Sequence, residues 1–128
     1  MKLIIISIII SVALIGGAIV VPKNNTQIKN EEPLAEIQIV DGKQIIEIKA
    51  KGGYQPRVAT AQAGIPTILR FKTNATFDCS SSVRISSMDI SQNLPPTGTT
   101  DIDIGIQPIS IFQGSCGMGM YPFEIDFK

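Results

Sequence analysis

The chain has 128 residues, with 11 basic and 11 acidic side chains, no histidine, two cysteines and four methionines. Balanced charge gives no electrostatic footprint for nucleic acid, and without histidine no Ser-His or Cys-His nucleophile can be assembled. No P-loop or dinucleotide fingerprint occurs either, so a binding module is expected rather than an enzyme.

The first element is apolar. Leu3 to Val21 follows Lys2 and is interrupted only by Ser7, Ser11 and the Gly16-Gly17 pair. A membrane-spanning helix needs about 20 such residues, whereas the apolar region of a cleaved signal is about 7–15 long and ends in a small-residue site. No A-x-A pattern follows, so an uncleaved N-terminal transmembrane helix is expected over residues 1–21, with cleavage after Ala18 as the alternative. Lys2 favours a cytoplasmic start. The body is then extracytoplasmic, anchored to the membrane, or secreted if the signal is removed. Residues 22–33 contain Asn24-Asn25 and Glu31-Glu32-Pro33, with Ile28 the one substantial apolar side chain, and read as a polar linker.

Residues 34–128 suit one domain in size. Apolar and polar residues alternate with period two in Ala35–Val40 and again in Gln44–Ala50. Between them Asp41-Gly42 supplies a hairpin turn. Further alternating runs are Arg57–Ala61, Thr67–Lys72, Val83–Ile85, Thr100–Ile104, Pro108–Phe112 and Pro122–Phe127. Turn signals separate them at Gly52-Gly53, Ala63-Gly64, Asn74, Pro95-Pro96 and Gly98. No helix-period stretch intervenes. The pattern predicts an all-β Greek-key sandwich of about seven strands.

Just before the final run lies Cys116-Gly117-Met118-Gly119-Met120, and the remaining cysteine is Cys79. Thiolates and thioethers select soft metals, Cu(I) foremost. The two glycines remove side-chain bulk and let the backbone curl so that successive sulfurs can face one centre. A second reading stands beside this one: exported cysteines commonly bridge, and methionines commonly fill cores. Any pair close enough to share a metal ion is also close enough to bridge. Three functions follow: a Cu(I)-binding module, a copper redox carrier, or a disulfide-stapled sandwich for adhesion or assembly.

Other residues read as structural. Tyr54 is expected to pack at a sandwich edge, Asp101 and Asp103 to lie on a solvated strand face, Asp78 to be an exposed turn residue, and Ser80 to Ser82 to form loop.

The order of landmarks resembles the cupredoxin-like domains. Tyr54-x-Pro56 opens a strand, Ala63-Gly64 turns, Thr67 to Phe71 leads through Asn74 to Cys79, and Ser110-Ile111-Phe112 runs into Cys116. The likeness covers about residues 52–128 and looks closest to the bacterial, membrane-associated copper-handling subgroup with a Cys-x-Met-Gly-Met loop. It implies one ligand just before the middle strand, where Cys79 stands, and the others in the loop between the last two strands. Cys116, Met118 and Met120 occupy that loop, with Met120 the preferred third donor and Met118 the fourth. The family's blue-copper members use two imidazoles, which this chain cannot supply. The resemblance therefore implies an extracytoplasmic Cu(I)-binding module in trafficking, sequestration or resistance, with a copper donor or acceptor protein as partner.

Overall fold

The computed structural model describes residues 35–128. The expected anchor and linker, and Leu34, lie outside that range. Among the described residues no helix is long and apolar enough to cross a membrane.

Asp41 (φ 51°) and Gly42 (φ 74°) both adopt left-handed conformations, the requirement of a type I′ turn. They join β1 (Ile37–Val40) to β2 (Lys43–Ala50), paired Val40 to Lys43. After β2 come β3 (Tyr54–Gln55), β4 (Val58–Ala61), β5 (Pro66–Thr73), β6 (Ser82–Ile85), β7 (Ile90–Asn93), β8 (Gly98–Ile106), β9 (Ser110–Cys116) and β10 (Pro122–Phe127). The described residues thus hold ten strands where the sequence pattern suggested about seven. β3 is only two residues long, and β7, Ile-Ser-Gln-Asn, has no inward alternation to betray it. Two short 3₁₀ turns, Cys79–Ser81 and Ser86–Met88, flank β6. Gly98, read as a turn, opens β8 instead, and β9 runs on to Cys116.

The strands form two five-stranded sheets. One has the order β1-β2-β5-β8, with β3 added to β2; the other is β4-β10-β9-β6-β7. β2 and β5 are parallel, as are β4 and β10, and each parallel pair requires the chain to cross to the other sheet in between. Alternation decides which residues face inward. Thr67, Leu69, Phe71 and Thr73 of β5 are buried, as are Ile46, Ile48 and Ala50 of β2 and Phe123, Ile125 and Phe127 of β10. Each large apolar side chain in this layer contributes about 1.5–3 kcal/mol through burial. β1 buries nothing despite its alternation, because it is the edge strand of its sheet.

Tyr54 is not an edge residue. It is 1% exposed and packs edge-to-face on Phe71 of its own sheet and Phe123 of the other, with ring centroids 5.8 and 5.1 Å away. At one end of the sandwich, buried Gln44 donates to Thr67 Oγ1 and to the Gln62 carbonyl, and its Oε1 accepts from Gln62 N–H. Every polar group of that side chain is therefore partnered, as burial demands. Asp101 lies exposed as expected, yet it takes both Nε and Nη2 of Arg70 at 2.8 Å. These hydrogen bonds hold its carboxyl below the ordinary carboxylate range.

Candidate metal centre

At the other end of the sandwich, loops between strands are tied to one another by short hydrogen bonds. Thr73 Oγ1 donates to Pro95 O at 2.7 Å, Thr76 Oγ1 to Ala50 O at 2.6 Å, and Leu94 N–H to Ser81 O at 2.7 Å. This lacing fixes the chain that carries Cys79. The residue opens the 3₁₀ turn that leads into β6, while Cys116 closes β9. Since β6 pairs with β9, with Val83 opposite Cys116, the start of one strand lies beside the end of the other. Two cysteines 37 positions apart in sequence consequently stand with Cα atoms 5.7 Å apart, and the structure joins them in a disulfide. Cys116 is fully buried and Cys79 partly so.

Beyond Cys116 the chain reverses within four residues. Gly119 N–H donates to Cys116 O and Cys116 N–H to Tyr121 O, and Gly119 takes φ +75°, a left-handed conformation that glycine adopts without penalty. Gly117 has a different reason: a Cβ there would sit 2.8 Å from Ser82 Oγ, so the loop lies directly against the start of β6. Met118 and Met120 project from this hairpin, 74% and 61% exposed. Two methionines that solvent reaches so freely are not core filler. The structure thus brings Cys79 and Cys116 together and leaves both thioethers on the loop that follows, accessible to a ligand.

Asp78 differs from its expected place in an exposed turn. It is partly buried; Oδ1 accepts from Ser80 Oγ at 2.7 Å, its carbonyl accepts from Ser81 Oγ, and Oδ2 is buried with no hydrogen-bond partner among the described residues. Ser80 is fully buried, so the serine run is an ordered bracket and not a loose loop. Across from it, Tyr54 donates to Ser82 O at 2.8 Å. Burial, and then the charge of Asp78, push the Tyr54 phenol well above its ordinary value, and it stays a neutral donor. Sequence spacing carried no sign of the Tyr54 contact to this bracket, since β3 and β6 lie in different sheets and Tyr54 and Ser82 are 28 positions apart.

The donor set is chemically narrow. Among the described residues no three of His, Cys, Asp and Glu cluster as metal ligands. A metal at this end would therefore rely on the two cysteine sulfurs and the thioethers, a soft set that suits Cu(I) and offers a hard cation little. Thiolates are needed for that, and the disulfide must first be reduced.

The two five-stranded sheets, with a bridged cysteine pair and a methionine hairpin at one end, define a small β-sandwich. A family model described as the cupredoxin-like domain matches residues 11–124, and the chain belongs to that family. A search of curated proteins finds no match. Among solved structures, the chain is similar to the metal binding domain of the Cu(I)-exporting P-type ATPase CopA of Streptococcus pneumoniae, determined with Cu(I). The TM-score is 0.67 and the identity 23%, over 76% of this chain and 97% of that one. It is also similar to a copper binding protein whose solution structure was determined in the apo form, with TM-score 0.65 and 22% identity over 72% and 94% of the two chains. At such identities the likeness is one of fold.

Proposed function

We propose that this chain is a copper-binding module that holds Cu(I) through Cys79 and Cys116, with Met120 as third donor and Met118 as fourth. The observation that carries the proposal is the placement of two cysteines 5.7 Å apart beside a hairpin that exposes two methionines. The family, and structural neighbours that are themselves copper-binding proteins, point the same way. The role is in copper trafficking, sequestration or resistance, with a copper donor or acceptor protein as partner and no reaction catalysed. Leu3 to Val21 supports an anchored domain on the extracytoplasmic side.

The cysteines make the site conditional on redox state. Reduced, they release protons as copper binds and supply most of the affinity. Oxidised, they offer no thiolate and release the ion. The thioethers bind without losing a proton, so they retain copper when acid weakens the thiolates. A redox carrier is disfavoured because an all-sulfur set stabilises Cu(I) strongly over Cu(II).

An anaerobic titration of the full chain against a chromophoric Cu(I) chelator tests this reading. The dithiol form is expected to withhold stoichiometric copper and the disulfide form to withhold none. If the dithiol form also fails to compete, the bridge is purely structural, and the disulfide between Cys79 and Cys116 favours the adhesion or assembly reading.

A further inference from the structure

Beside the methionine hairpin lies a cleft of about 430 Å³, within the range of about 300–1,000 Å³ typical of small-ligand sites. Gln55 and Pro56 contribute to its lining from the β3 side, Met120 and Tyr121 from the β9–β10 hairpin, and Arg57 from the start of β4. Gly53 also lines it at φ +117°, and a Cβ added there would lie 3.5 Å from the Tyr121 ring. The absent side chain keeps that wall thin.

The charge of the cleft is one-sided. Ion pairs among the described residues join Lys43 to Asp103, Arg70 to Asp101, Lys72 to Glu47 and Lys128 to Asp126. None of these engages Arg57, or Lys51 next to the cleft residue Gly52. No carboxylate lines the cleft. A chain with no net charge has therefore set Arg57 among the residues that line the same cleft as Met120, one of the proposed copper donors. A bare cuprous ion is repelled by that arrangement. An anionic complex of the ion is attracted by it.

We infer that the cleft receives Cu(I) as the complex of a small thiol bearing carboxylates, with a carboxylate on Arg57 and the metal presented to Met120. The inference rests on the copper reading above and specifies the form in which copper arrives. Transfer is a ligand exchange: the two bonds from copper to two donor thiolates break as bonds to Met120, Cys79 and Cys116 form. The protons leaving the two cysteine thiols pass to the departing thiolates. Copper remains Cu(I) throughout, and no electron moves.

The test compares two copper sources on the reduced full chain by stopped flow: Cu(I)–glutathione, which is anionic, and Cu(I)–acetonitrile, which is not. Arg57→Glu is expected to slow uptake from the glutathione complex about tenfold at low salt, as loss of charge steering does, and to leave uptake from the acetonitrile complex within about twofold. S-methylated glutathione, which keeps the carboxylates and has no thiol, gives a readout without metal. It should shift the Tyr121 NMR signals in the wild type and not in Arg57→Glu. Equal rates in wild type and variant with both sources, or equal slowing with both, overturn the inference while leaving the copper site intact. Failure of the wild type to take copper even from acetonitrile overturns the copper reading, and this inference with it.

Discussion

Replacing Cys79 with serine is expected to weaken Cu(I) binding by the reduced chain by more than about a hundredfold, since even outer-shell partners of a metal site are worth 10–100-fold. A hydroxyl is a hard donor and does not replace a thiolate toward a soft ion. The substitution has a second consequence that separates the two states of the pair. In the oxidised protein the bridge closes a segment of 37 positions, and loop-closure entropy assigns a crosslink of that span about 4 kcal/mol, with 2–4 kcal/mol typical in practice. Urea unfolding should therefore show Cys79→Ser less stable than the oxidised wild type by that amount and about equal to the reduced wild type. Unchanged Cu(I) competition by the variant would place the metal elsewhere. Equal stability of the variant and the oxidised wild type would mean that the bridge contributes nothing to the fold.

Gly114→Ala should destabilise the domain by about 1–3 kcal/mol, the usual cost of overpacking a tight core. Gly114 lies in the middle of β9 opposite Phe123 of β10. A Cβ at that position would come within 2.6 Å of Phe123 Cε1 and nearer still to Cζ. The ring has no room to withdraw. Phe123 is 2% exposed and held edge-to-face between Tyr54 and Phe71, with centroids 5.1 and 5.7 Å away. The strain falls on the hairpin that carries Cys116 and the methionine loop, so copper affinity should drop along with stability. Phe123→Leu in the same chain relieves the clash, and the double variant should be more stable than the sum of the two single effects. Denaturation midpoints check this. Strict additivity, or no loss in Gly114→Ala, would show that β9 yields without cost.

Much of this architecture is legible in the chain itself. Asp41-Gly42 between two alternating runs specifies a hairpin, and the φ values at both residues explain why those types stand there. Alternation in β5 and β10 reports the inward face because both strands lie inside their sheets. It fails for β1, an edge strand with nothing to bury against, and for β3, too short to have a period. Tyr54 shows the limit most clearly. Beside two glycines it reads as an edge residue, but its neighbours Phe71 and Phe123 come from distant positions and place it at the centre of the core. Asp78 is similar: a turn aspartate by local pattern, it is partly buried, with Oδ1 bonded to Ser80 and Oδ2 buried without a partner among the described residues. The sulfur motif was visible as a cluster, whereas the approach of Cys79 to Cys116 follows from the β6–β9 register, a long-range fact no spacing encodes. The meeting of Arg57 and Met120 was hidden for the same reason, since 62 residues of intervening chain separate two residues that line one cleft.

The proposed site holds copper at the end of this sandwich through sulfur alone. Copper K-edge X-ray absorption on the reduced full chain, loaded anaerobically with Cu(I), measures the ligand atoms directly. A first coordination shell of sulfur scatterers only, with the edge of Cu(I), is the expected result. A shell containing nitrogen or oxygen in place of sulfur would contradict the assignment of Cys79, Cys116, Met118 and Met120 as the copper ligands.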